Sequence, residues 1–294
     1  MKEESGIRRL IRRVPLLVII IRFSRSSWMN LRDHWELWYL NSIKHSTPPI
    51  PPLILRHRVG ADGIKIHVFL SHGRNQVDDL QAALFASTNK TLSGFRNILD
   101  FGCGSGRQTR HIINRAPQAH VSGVDVDKPS IEWLQNNFKT GVFRHIPSKP
   151  PMPIENECFD LIYSVSVFTH LKPSMQEAWL SELWRVANND CTLLITTHGP
   201  DALINLVKDD PHLFNKSLPD QIDLDREGFL FFPYIEEDAK ALGIDTVYGT
   251  SFHSDNYIRN TWSRYFKILS IVPRGLDNFQ DIVVLTTIPS PIRD

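Results

Sequence analysis

The stretch Ile98-Leu99-Asp100-Phe101-Gly102-Cys103-Gly104-Ser105-Gly106-Arg107-Gln108-Thr109 decides the fold. It reads as a short apolar strand closed by an acidic residue, then a glycine-rich turn, then the start of a helix. Glycines at 102 and 104 let the main chain pass close to a ligand where a Cβ would intervene. About twenty residues further on, Val121-Ser122-Gly123-Val124-Asp125 forms a second strand ending in a carboxylate. That is the spacing at which an acid reaches two ribose hydroxyls. Two such strands side by side describe a nucleoside crevice at the switch point of an open α/β sheet.

The dinucleotide-binding turn competes for this pattern, because it too opens Gly-x-Gly after a strand. It requires Gly-x-Gly-x-x-Gly, and the third of those positions is Arg107 here, with glycine at 106 instead. A pyrophosphate on a helix N-terminus gains nothing from a carboxylate such as Asp100 just ahead of the loop. S-adenosylmethionine, which carries a sulfonium and an ammonium and no phosphate, suits that acidic lead-in. The glycine spacing therefore weakens an NAD(P)-dependent oxidoreductase.

These residues resemble the class I S-adenosylmethionine-dependent methyltransferase family, of the type that serves small molecules. Residues 98–107 are similar to its first motif and 121–127 to its second. Phe159-Asp160-Leu161-Ile162-Tyr163-Ser164-Val165-Ser166-Val167-Phe168-Thr169-His170-Leu171 is similar to its fourth-strand segment, and residues 179–198 to the helix and strand that follow. The likeness is specific over residues 95–200 and looser from there to 287. It implies a Rossmann-like, doubly wound, mostly parallel seven-stranded sheet with a reversed C-terminal strand, and S-adenosylmethionine as cofactor. The cofactor residues are then Asp100, Phe101, Gly102, Cys103, Gly104, Asp125, Val126 and Ser164. Asp100 serves the amino end, directly or through loop geometry. Asp125 takes the ribose, Val126 the adenine slot, and Ser164 the methionine part. Asp127 is as well explained by a solvated or helix-capping role. Two departures stand out. Asn188-Asn189-Asp190 replaces a Pro-Gly-Gly turn common in relatives, and Ile146-Pro147-Ser148 lacks the acid that often meets the adenine amine, which leaves adenine to backbone groups.

The 294 residues, 41% hydrophobic, can bury a full core and suggest one large domain with extensions. The net charge of +1 is unevenly spread: residues 1–32 hold eight Lys or Arg against two Glu, a basic arm on a mildly acidic body. Cys103, Cys158 and Cys191 are odd in number and scattered, which favours neither disulfides nor zinc. A reducing cytoplasmic setting is the economical reading, and Cys103 reads as a small filler in the loop. The run Val14-Pro15-Leu16-Leu17-Val18-Ile19-Ile20-Ile21 is far short of the roughly twenty residues of a spanning helix. With Arg22 and Arg25 following it, and no small-residue cleavage site, it does not read as a signal peptide either. Two readings of the arm stay open: contact with the inner face of an anionic membrane through residues 1–32, or packing on the body or a partner subunit.

Trp28, Leu31, Trp35, Trp38 and Tyr39 have the spacing of one helix face and read as a stripe packing onto the domain. Thr47-Pro48-Pro49-Ile50-Pro51-Pro52 reads as a stiff extended linker, so residues 1–47 form the arm and 48–294 the domain. Within the domain, 53–95 is lead-in with a helix over 77–87, and 96–198 the cofactor-binding core. Residues 199–262 form an insertion, and 263–287 a C-terminal hairpin. Strands are expected over 97–101, 120–125, 141–145, 159–165 and 191–197, with helices over 106–115, 128–138 and 174–187. Pro129 and Pro173 suit first helical turns. The short turn around 273–278 forces the last two strands antiparallel. The aromatic segment 228–234 reads first as core, though loops on a rigid scaffold also carry specificity, and this is where related enzymes place a substrate lid.

For chemistry, the acceptor must lie in line with the S–CH₃ bond at about 3–3.5 Å. A hydroxyl acceptor also needs a base, and His170, just after the fourth strand, is the first candidate. His198 and His253 are further ones, and no metal site is expected. Residues 163–167 lack an amide-and-aromatic clamp for nucleic-acid bases, and no Pro-Cys nucleophile is present, so no nucleic-acid partner is expected. Residues 250–257 and 279–281 look like methyltransferases found beside bacterial glycan and lipid assembly enzymes. The reading is methyl transfer to a small-molecule, sugar or lipid-linked acceptor, at oxygen. Its rival is a non-catalytic module that only binds the cofactor. The oligomeric state is left open.

Overall fold

The computed structural model describes residues 33–40, 48–59, 65–209, 223–234 and 248–288. In chain order the strands are β1 (Asn97–Phe101), β2 (His120–Asp125), β3 (Val142–His145), β4 (Phe159–Ser164), β5 (Ala187–Thr197), β6 (Phe229–Pro233), β7 (Gly249–His253), β8 (Phe266–Leu276) and β9 (Gln280–Thr287). The helices are α1 (Leu53–Arg58), α2 (Ile66–Thr88), α3 (Thr109–Arg115), α4 (Lys128–Asn137), α5 (Pro173–Val186), α6 (Pro200–Asp209), α7 (Leu224–Glu227) and α8 (Asp255–Trp262).

Seven strands make one sheet in the order β3-β2-β1-β4-β5-β9-β8. The first five pair in parallel, and β9 runs antiparallel to both β5 and β8. This is the doubly wound sheet with one reversed strand. From β1 the chain builds outward to β2 and β3, then returns to place β4 on the other side of β1. The crevice of such a sheet opens where that direction switches, at the carboxyl end of β1.

Because both faces of the sheet are covered, β1 is apolar on both sides rather than alternating. Leu99, Ile162, Leu193, Ile195 and Val283 pack against Trp179, Leu183 and Val186 of α5. Ile98, Leu161, Leu194, Ile282 and Val284 pack on the other face, with Val77, Leu80 and Leu84 of α2. Pro129 and Pro173 do stand in the first turns of α4 and α5.

Four expectations need correction. Helix α2 starts at Ile66, eleven residues before the expected start, because Phe69, Gly73 and Gln76 are buried too; it ends at Asn89, whose left-handed φ of 58° lets its N–H reach Phe85. Strand β5 starts at Ala187. Phe159 pairs with Ala187 and Leu161 with Thr192, so residues 188–191 bulge inside the strand instead of turning before it. The proline stretch is no free linker: Pro48, Ile50 and Pro51 are buried, and the Arg110 guanidinium donates to the Pro48 and Pro49 carbonyls. Helical residues 33–40 do not bury the aromatic stripe. Trp35 is 69% exposed and Trp38 52%, stacked edge to face at 5.7 Å. Trp28, Leu31, the basic arm and the apolar run lie outside the described residues.

Candidate active site

The glycine turn after β1 is built by hydrogen bonds that only its neighbours can supply. The N–H groups of Gly102 and Cys103 both donate to the Val124 carbonyl, at 2.9 and 3.0 Å, tying the turn to the end of β2. Gly102 and Gly104 have φ of +87° and +49°, and a Cβ on either would come within 2.4 Å of a valine methyl, Val167 or Val59. Phe101 and Cys103 lend only their main chain to this turn. The Phe101 ring packs at 4.9 Å on Trp179, and Cys103 fills a cluster with Leu134, Phe138 and Phe143.

Asp100 is buried beneath the turn, its Oδ2 accepting from Thr109 Oγ1 and Tyr163 OH, each at 2.5 Å. Burial pushes its carboxyl up to about 7, against the opposing effect of those two donors. Those two donors tie the carboxyl to the start of α3 and to β4. Asp125, at the end of β2, accepts from Gly104 N and Asp127 N, both at 2.7 Å. Burial raises its pKa as well. Val126 beside it is 38% exposed. Asp127 takes the N-cap position of α4, accepts from Ser130 Oγ and pairs with Arg58. The Ile146 N–H, a backbone group available to adenine by sequence, donates to the Asp125 carbonyl at 3.0 Å. Ser164 Oγ, at the end of β4, is buried with no hydrogen-bond partner, as are Ser105 Oγ in the turn and Thr197 Oγ1 at the end of β5.

On the other side, the inserted β6–β7 pair folds back over the ends of β4 and β5. His253 N–H donates to the His198 carbonyl at 2.8 Å and Ser251 Oγ to the Leu171 carbonyl at 2.6 Å. This gathers histidines. His170 Nδ1 lies 2.9 Å from the Gly249 carbonyl and 2.8 Å from Tyr234 OH, so the carbonyl fixes the proton on Nδ1 and leaves Nε2 as the basic nitrogen. His170 and His198 rings stand perpendicular with centroids 6.4 Å apart. Burial lowers the pKa of His170, and brings His198 to about 3 with help from its two histidine neighbours. His253 is a packing residue: Nε2 donates to Gln176 Oε1 at 2.9 Å among Phe229, Tyr257 and Trp262, and burial takes it to about 3. The aromatics of β6 are partly buried, with Phe232 packed on the small cluster of Leu203, Leu224 and Phe252. Among the described residues, no three His, Cys, Asp or Glu side chains are grouped to hold a metal ion.

Residues 98–190 match the family model described as a methyltransferase domain. The malonyl-(acyl-carrier protein) O-methyltransferase of Halalkalibacterium halodurans is 31% identical over 121 residues, 38% of this chain and 42% of that protein. Ajmaline N-methyltransferase of Rauvolfia serpentina is 26% identical over 108 residues, 35% of this chain and 36% of that one. The match thus spans less than half the length of these relatives. In structure, a 1,6-didemethyltoxoflavin-N1-methyltransferase from Burkholderia thailandensis shares 14% identity and a TM-score of 0.50, over 82% of this chain and 92% of its own. A Pyrococcus horikoshii protein gives 17% and 0.50, over 73% and 91%. At such identities the likeness speaks for the fold. These matches support the class I S-adenosylmethionine-dependent methyltransferase family for the domain over residues 98–190.

The family's cofactor, S-adenosylmethionine, fits the residues present. A carboxylate offers about four lone-pair positions, and the two backbone donors leave Asp125 about two for ribose hydroxyls. The unpartnered Ser105 and Ser164 hydroxyls are available to polar groups of a ligand. A pyrophosphate fits badly, since the Asp125 carboxyl lies against the turn, accepting from Gly104 N.

Four participants were missed in the sequence. Val59 and Arg58, at the end of α1, cover Gly104 and Asp127; nothing local marks them. Tyr163 is the register partner of Asp100 across β1 and β4, a pairing visible only once the strands are aligned. Tyr234 reaches His170 from the end of β6.

Proposed function

We propose that this protein transfers a methyl group from S-adenosylmethionine to a small-molecule, sugar or lipid-linked acceptor, at oxygen. The observation that carries the proposal is the acid-flanked glycine turn, with Asp100 beneath it and Asp125 keeping free lone pairs beside it. S-adenosylmethionine supplies a methyl on a cationic sulfur, so the protein forms no covalent intermediate. What the chain must do is hold the acceptor in line and receive its proton.

His170 supports the choice of oxygen. Its lowered pKa keeps the ring neutral at physiological pH, and its Nδ1 is engaged, so Nε2 is the proton acceptor. Relatives include both an O- and an N-methyltransferase, so the shared core does not choose between the two atoms. The insertion above His170 then selects the acceptor, with Phe229–Pro233 as its aromatic wall. The test is mass spectrometry on an extract incubated with the protein and isotopically labelled methyl donor. One product carrying a labelled methyl identifies the acceptor class and atom. Tight S-adenosylhomocysteine binding without labelled product across extracts and acceptor panels would instead mark a cofactor-binding module.

A further inference from the structure

Tryptophan is an expensive side chain to leave in water, since it carries one of the largest apolar surfaces of any residue. Yet Trp35 and Trp38, three positions apart and so on one side of the helix, are 69% and 52% exposed. Asp33, on the same helical segment, is paired with the buried Arg56 of α1. Two residues on, Arg58 pairs with Asp127, and Val59 covers Gly104. The tryptophan face is therefore fastened to the segment that roofs the glycine turn.

The chain that leads into this helix supplies the second observation. Residues 1–32 carry a net charge of +6 and enclose an eight-residue apolar run, Val14 to Ile21, between arginine clusters. Basic residues beside an apolar run and interfacial tryptophans are the combination that binds an anionic bilayer surface. A second copy of this chain is a poorer occupant, because two such arms repel each other. No helix among the described residues is long and apolar enough to cross a membrane.

We infer that Trp35 and Trp38, together with the basic residues 1–32, dock this protein on an anionic lipid surface at the rim of its cofactor crevice. This goes beyond the proposed reaction and does not depend on it. Docked there, the crevice opens beside the headgroup layer, within reach of a lipid-linked acceptor.

The full chain is floated with vesicles of phosphatidylcholine alone and of phosphatidylcholine with phosphatidylglycerol. The result expected is recovery with the anionic vesicles only, reduced by salt. Trp35→Ala with Trp38→Ala in one variant, and Arg8→Gln, Arg9→Gln, Arg12→Gln and Arg13→Gln in a second, each weaken partitioning about tenfold or more. Both variants keep the wild-type affinity for S-adenosylhomocysteine, which shows that they are folded. Equal recovery with neutral vesicles, or wild-type partitioning of either variant, overturns the inference. So does a dimer in light scattering that the tryptophan variant dissociates while its vesicle binding is unchanged.

Discussion

The two sides of the crevice are made of opposite materials. The cofactor side is a tight turn of glycines and carboxylates, held by short-range hydrogen bonds such as Gly104 N to Asp125 and Thr109 to Asp100, with Tyr163 reaching Asp100 from β4. The proposed acceptor side is a cage of neutral histidines and aromatics brought together from distant positions, with Tyr234 and Gly249 on His170, and Ser251 and Phe279 on His198. Charge is concentrated where the ligand is cationic and its sugar polar. It is absent where a proton must be received, because a histidine kept neutral by burial is already a base.

The largest expected effect tests that division of labour. His170→Ala should lower methyl transfer by about a hundredfold or more while leaving S-adenosylhomocysteine affinity unchanged, since general-base catalysis contributes on that scale. Labelled-methyl incorporation and calorimetry together read both sides, and a variant that loses cofactor affinity would break the comparison. The converse is Asp125→Ala. It should weaken cofactor binding by about 1.5–3 kcal/mol, the range for hydrogen bonds to charged groups. Unchanged affinity would remove Asp125 from the site.

A smaller effect separates the two sides by pH. Asp100 titrates at about 7 in the folded protein against 3.8 for the ordinary group, so its stabilising contribution is full below 3.8 and is lost as pH rises through about 7. Asp100→Asn removes that loss, and urea unfolding should show the variant declining less than wild type between about pH 4 and about pH 8. The histidines run the other way. With His198 and His253 at about 3 when folded, against an ordinary 6.5, their contribution is full above 6.5 and falls away towards about 3. The smallest effect belongs to Tyr234→Phe, which deletes one hydroxyl beside His170 Nδ1 and should cost methyl transfer about 0.5–1.5 kcal/mol.

The same contrast explains what could be read from the chain. The glycine turn, Asp125 and the antiparallel pairing of the last two strands follow from local pattern: glycine spacing, carboxylates at strand ends, and a turn too short for a parallel crossover; the seven-stranded sheet with its reversed strand came with the family resemblance. Residues whose role comes from distant partners left no local mark. Tyr163 reads as one more apolar strand residue until it is paired with Asp100. Gly73 reads as an ordinary helix glycine, yet a Cβ there would meet the Arg107 carbonyl at 2.3 Å, so α2 braces the turn only through that gap. Trp35 and Trp38 show how periodicity misleads. Spacing identified a face, but an apolar face says only that something covers it, and here that is not the domain.

The central claim is that the acid-flanked turn takes a phosphate-free adenosyl ligand. Titration calorimetry of the full chain with S-adenosylhomocysteine and, separately, with NAD tests it directly. Saturable binding of the first and none of the second is the result predicted. Binding of NAD, or silence towards both, would contradict it.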